Sequence, residues 1–153
     1  MTSRRPVAVI GVGNPMRGDD GVGPAAVARL AGADPPLEVD LVTLDGEPAR
    51  LIEAWRHRRR AIVIDAACGG AAAGTIHRVE PDHDPPRWSA PPSSHGAGVA
   101  EALALARVMD ALPEHLVVFG MEPGDLTLGE GLSDQVRAAL PDLVAQVRAE
   151  ATR

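Results

Sequence analysis

Along the chain, short β-branched and aliphatic runs alternate with longer stretches in which apolar residues recur at helical spacing. Such alternation builds a largely parallel sheet covered on both faces, because each step to a parallel neighbour needs a crossover helix. Val7–Val12 reads as the first strand, and a helix follows from about Val22 to Leu30. Leu37–Thr43 is a second strand, Pro48–His57 a helix, and Ala61–Ile64 a third strand ending at Asp65. After a glycine-rich turn, Gly74–Glu80 alternates as a half-exposed edge strand should, with an antiparallel orientation open to it.

The pattern then breaks. Pro81–Ser94 holds five of the fourteen prolines, and so long a patternless stretch in one domain points to a functional loop. Helical spacing resumes from about His95 to Leu112, with Ser94 placed as N-cap. Leu116–Met121 is a final core strand. The last helix begins near Ser133, with Val136, Leu140, Leu143, Val144 and Val147 on one face. Pro141 should kink that helix or mark its restart.

Composition narrows the classes. A chain of 153 residues, 45% apolar, suits one folded domain, here 1–153, with no internal repeat. One Phe, two Trp and no Tyr leave no aromatic platform for single-stranded nucleic acid. A net charge of −6 argues against a phosphate-backbone binder. One basic run, Arg56-His57-Arg58-Arg59-Arg60, reads first as the solvated end of a helix, with cations near its negative pole. The other reading is a docking patch for an acidic partner.

The lone Cys68 excludes an internal disulfide and gives no sign of an oxidising compartment. Ser3-Arg4-Arg5 partly matches a twin-arginine signal, but Gly11, Gly13, Asn14 and Pro15 interrupt the following apolar run too early. No run reaches the length of a membrane span. A cytoplasmic protein away from the membrane is expected.

Three segments carry polar residues without an evident structural task. GVGNPMRGDDGVG, from Gly11 to Gly23, invites a dinucleotide-binding reading, but after Gly11 and Gly13 the next glycine is Gly18. Asp19 and Asp20 would also repel a pyrophosphate there. Helix capping is the plainer role for the two acids. Pro24 requires the helix to start no earlier than about Gly21, which sets Asp20 on the loop above the first strand.

The second segment, AIVIDAACGG, ends its strand in Asp65, at the carboxyl edge where open α/β sheets bind ligands. If strands one and three are neighbours, Asp20 and Asp65 converge on one crevice. A turn-starting role for Asp65 before Gly69-Gly70 is the alternative. The third, PPSSHGAGVAEAL, sets His95 at a helix N-terminus, whose positive pole favours the neutral imidazole a metal needs. His77, His83 and His115 read as solvated bystanders. Asp20, Asp65 and His95 together form an open site that suits nickel, iron or zinc.

GVGNPMRGDDGVG, IVIDA, SSHGAG, and FGMEP followed by LGEGLS, in this order from Val9 to Ser133, closely resemble the nickel–iron hydrogenase maturation proteases. The resemblance implies a monomeric endopeptidase that removes a C-terminal extension from the hydrogenase large-subunit precursor after nickel insertion. It implies a twisted sheet between helices with one antiparallel strand. The expected fold is therefore an α/β three-layer sandwich: a mostly parallel five-stranded sheet, one strand antiparallel, with helices on both faces.

The family's metal-contacting positions carry over as Asp20, Asp65 and His95, serving both metal contact and catalysis. Its glycine-rich turn after strand two appears as Asp45-Gly46-Glu47, with Glu47 in place of the usual second glycine. The resemblance also makes the nickel part of the substrate, already held by the precursor's thiolates. One nitrogen and two oxygens can recognise a partly ligated ion but hold one poorly alone, unlike a resident zinc site.

Metal-polarised carbonyl, metal-bound water, and water activated by Asp20 or Asp65 are all open as mechanisms. Cys68 reads as a small packed residue rather than a nucleophile. Trp88 in the proline-rich loop is a candidate apolar contact to the partner. The competing readings are a non-proteolytic nickel-binding maturation chaperone or sensor on the same fold, and a nucleotide-binding domain.

Overall fold

A computed structural model of the chain describes residues 4–82, 98–127 and 129–153. Its strands are β1 (Val7–Val12), β2 (Asp40–Leu44), β3 (Arg60–Ala66), β4 (Ile76–Val79) and β5 (His115–Met121). The helices are α1 (Val22–Ala31), α2 (Pro48–Trp55), α3 (Gly98–Met109) and α4 (Asp134–Ala151). The strands form one sheet in the order β2-β1-β3-β5-β4. Every neighbouring pair is parallel except β4 with β5, so the antiparallel strand is the edge strand β4.

Side chains alternate across each strand, and that alternation divides the core in two. Val9, Ile62, Ile64 and Phe119 face α1 and α4, packing on Val27, Leu30, Leu140 and Leu143. Ala8, Ile10, Val63 and Val118 face α2 and α3, packing on Leu51, Trp55, Val99 and Leu103. The three-layer α/β sandwich expected from the sequence is what forms. Among the described residues, no helix is long and apolar enough to cross a membrane.

The boundaries differ from the pattern where tertiary contacts intervene. Strand β2 starts at Asp40 because pairing with β1 begins there; Leu37 and Val39 pack against the core without joining the ladder. Helix α2 stops at Trp55, and His57 takes a left-handed φ of 62°, which no helix continues through. Helix α3 ends at Met109, before Asp110 at φ 52°. Its expected start at His95 and the cap at Ser94 lie outside the described residues.

Pro141 neither ends nor restarts α4, which runs from Asp134 to Ala151 around it. Val136 and Leu140 before the proline, and Leu143 and Val147 after it, are all buried in one cluster.

The basic run is a solvated helix end only in part, at the exposed His57 and Arg59. Arg58 is buried, donates to the backbone oxygens of Arg5 and Ala54, and pairs with Asp40. Arg60 lies in β3 beside the buried Glu150, which Arg78 and Arg153 also contact. Arg58 and Arg60 thus neutralise half-buried and buried carboxylates within the fold.

Candidate active site

The parallel strands all point one way, so the ends of β1, β3 and β5 open onto a common carboxyl edge. Two glycines let the chain after β1 fold tightly over it. A Cβ at Gly13, whose φ is 140°, would sit 1.9 Å from the Asp20 carbonyl oxygen. A Cβ at Gly23 would sit 2.6 Å from the carbonyl oxygen of Ile64 and equally close to Val12. The start of α1 is therefore pressed against the ends of β1 and β3, and Asp20 arrives beside Asp65.

Asp20 lies in a 3-10 turn, Gly18–Gly21, and not on an open loop; Gly21 caps α1. Its Oδ2 accepts a hydrogen bond of 2.9 Å from the Asn14 amide. Burial raises its pKa against the opposing pull of that amide and of the Arg17 guanidinium. Asp65 lies inside β3, only 7% exposed. Its pKa is pushed well up, first by burial and then by the negative charge of Asp20, with the Ala66 amide opposing. The charge of Asp20 thus reaches Asp65 in a desolvated crevice.

Asp65 points to the α3 side of the sheet, because Ile64 and Ala66 belong to the α1–α4 core. Its partner across the ladder is Gly120, whose partner on the other side is His77. Gly120 carries no side chain, and the backbones of Asp65 and His77 on either side of it lie about 10 Å apart, two strand spacings.

His77 Nε2 lies 3.0 Å from Oε1 of Glu122, a buried carboxyl just past β5. The same Oε1 accepts from the amides of Gly69 at 2.8 Å and Ala71 at 3.3 Å. Cys68 sits in that turn, and its thiol pKa is raised by burial, then by Glu122, Asp65 and Asp20. That direction disfavours the thiolate, the form a nucleophilic cysteine needs.

Of the three expected site residues, Asp20 and Asp65 come together, while His95 lies outside the described residues, as do Trp88 and His83. Helix α3, which follows His95 in sequence, begins at Gly98, and a Cβ on Gly46 would lie 3.8 Å from Gly98 Cα. The turn after β2 therefore borders the same side of the crevice. Glu47 fits that turn as the N-cap of α2, its carboxylate accepting from the amides of Ala49 and Arg50. Among the described residues no three His, Cys, Asp or Glu side chains are grouped to hold a metal ion.

Sequence reasoning missed Glu122, although the signal that found Asp65, an acid at the end of an apolar strand, was present in FGMEP. It also set His77 aside as solvated; paired with Glu122 and 31% exposed, it is a bystander no longer.

A family model described as hydrogenase maturation protease matches residues 25–150. The chain is similar to the hydrogenase expression/formation protein HupD of Thiocapsa roseopersicina, 33% identical over 141 residues, covering 90% of this chain and 63% of that protein. It is 34% identical over 139 residues to HupD of Rhizobium leguminosarum bv. viciae, covering 88% of this chain and 68% of that one. The chain thus spans just under two thirds of the first relative's length and just over two thirds of the second's. Among solved structures, the hydrogenase maturating endopeptidase HybD from E. coli superposes with a TM-score of 0.78 at 27% identity, covering 97% of this chain and 91% of that one.

Proposed function

The chain belongs to the hydrogenase maturation protease family, and from that premise we propose that it is a monomeric cytoplasmic endopeptidase that removes the C-terminal extension of a nickel–iron hydrogenase large-subunit precursor after nickel insertion. The observation that carries this reading is the pairing of Asp20 with Asp65 at the carboxyl edge of the sheet, where burial raises both proton affinities and the negative charge of Asp20 raises that of Asp65 further.

Two desolvated acids that repel one another gain most from a cation brought by the ligand. The donor set therefore fits nickel that belongs to the precursor, with Asp20, Asp65 and His95 as its contacts on this chain. Such an ion supplies polarisation of the scissile carbonyl or of a water molecule. This chain's own part is to hold and move protons. Asp65, with its proton affinity raised by burial and by the charge of Asp20, is suited to take a proton from the attacking water and return it to the leaving amine. Asp20, fixed by the Asn14 amide, sets the charge that tunes it.

The test compares nickel-loaded and nickel-free precursor, incubated with chelator-treated protein. Cleavage of the loaded form alone is expected. Equal cleavage of both would return the site to hydrolysis without metal recognition, and binding without shortening would make the protein a maturation chaperone or sensor.

A further inference from the structure

The crevice contains a third buried carboxylate that the proposed reaction does not use. Glu122 is only 3% exposed, and its backbone is held on both sides: its amide donates to Thr75 O at 2.9 Å and its carbonyl accepts from Gly74 at 2.9 Å. The residue before it, Met121, accepts from the Ala67 amide at 3.0 Å. The side chain is therefore launched from a rigid base, and a single oxygen, Oε1, gathers Gly69, Ala71 and His77.

A buried carboxylate is costly unless donors compensate it. Two amides and an imidazole do so here, and both amides come from the turn that follows Asp65. Neutral acceptors could cap a turn with less penalty, so the compensation points to a constraint on where that turn must lie. Resting on the proteolytic reading, we propose that Glu122 is a positioning residue of the active site: it clamps the 67–71 turn, and with it Cys68, against the carboxyl end of β3, while His77 holds the clamp in place.

The clamp sits just past the Ala66–Met121 pair that ends the ladder between β3 and β5. Releasing it would let the turn move relative to Asp65 without touching Asp20, which is held by a different segment. The consequence falls on the chemical step more than on precursor capture, because reacting groups tolerate little misplacement.

The experiment uses the full chain with Glu122→Gln and Glu122→Ala, and measures kcat and KM on nickel-loaded precursor together with amide exchange at Gly69 and Ala71. Gln keeps an acceptor for both amides, so its kcat should stay within about threefold of the parent and its exchange protection should persist. Ala should lower kcat by roughly tenfold or more, leave KM within about threefold, and lose protection at both amides. Should Ala leave a cavity that prevents folding, Glu122→Met, which fills the space without an acceptor, carries the same expectation.

A parental kcat in the Ala or Met variant, protection retained there, or a Gln variant as impaired as Ala would each overturn the proposal. If the parent chain cleaves no precursor, the proteolytic reading fails. The clamp is then upheld by loss of protection in the Ala variant and overturned by its retention.

Discussion

Asp19 and Asp20 are adjacent in one 3-10 turn, and their carboxylates serve different segments of the chain. Asp19 is fully buried and accepts from the amides of Gly124 and Asp125 and from the amide and hydroxyl of Ser133, all at 2.7–2.8 Å. Asp20 accepts from Asn14 and faces the crevice with Asp65. Asp19 is an anchor that ties the turn to the loop after β5 and to the start of α4. That anchor leaves Asp20 placed with a carboxylate still available for chemistry.

The anchor predicts a stability effect without parallel in its neighbour. Asp19→Ala leaves four donors unpaired in the interior and should cost about 3 kcal/mol or more, since hydrogen bonds to a charged acceptor contribute about 1.5–3 kcal/mol each and are only partly replaced by water. Urea unfolding of the two alanine variants compares them directly. A smaller loss for Asp19→Ala than for Asp20→Ala would mean that the network does not hold the loop.

Asp65→Asn should separate function from stability. Removing a buried charge that faces a second acid should leave the fold intact and raise its melting temperature at neutral pH. Precursor cleavage should fall by roughly a hundredfold or more, as expected for loss of a proton-transferring group. Thermal melts and cleavage are measured on the same preparation. Undiminished cleavage beside a lowered melting temperature would make Asp65 structural.

Linkage gives the pH dependence its sign. Asp20 and Asp65 have folded-state values above the ordinary 3.8, so their contribution to stability is complete below that value and is lost as pH rises through the folded values. Asp40, lowered first by its hydrogen bond from Arg58, acts oppositely: its contribution is present above 3.8 and lost as pH falls through its folded value. Urea midpoints between about pH 4 and pH 8 should therefore decline less steeply for Asp65→Asn than for the parent. An unchanged slope would remove Asp65 as its source.

The Arg58–Asp40 pair sits at the opposite end of the strands from the crevice and offers a control. Arg58→Ala removes donors to Arg5, Ala54 and Asp40 and should cost about 2 kcal/mol. Well below its melting temperature, the variant should cleave precursor at the parental rate. A matching loss of kcat would show that the two edges of the sheet are coupled.

What the sequence by itself determined is local. Among the described residues, periodicity located the five strands and the four α-helices to within a few residues. An apolar run ending in an acid identified Asp65, and Pro24 placed Asp20 just ahead of a helix. These signals are readable because the side chains that form each element lie within one or two turns of each other. Tertiary structure decided everything that depends on which distant segments meet. Asp19 and Ser133 are 114 positions apart, and nothing in GDDG distinguishes the anchoring acid from the one left for the crevice. His77 and Glu122, 45 positions apart, meet only because β4 turns antiparallel beside β5 and sets His77 opposite Gly120. A one-residue slip in that register would send His77 to the other face of the sheet. The packing of Ile76 against the α4 core, and not the histidine's own surroundings in sequence, determines which face it takes.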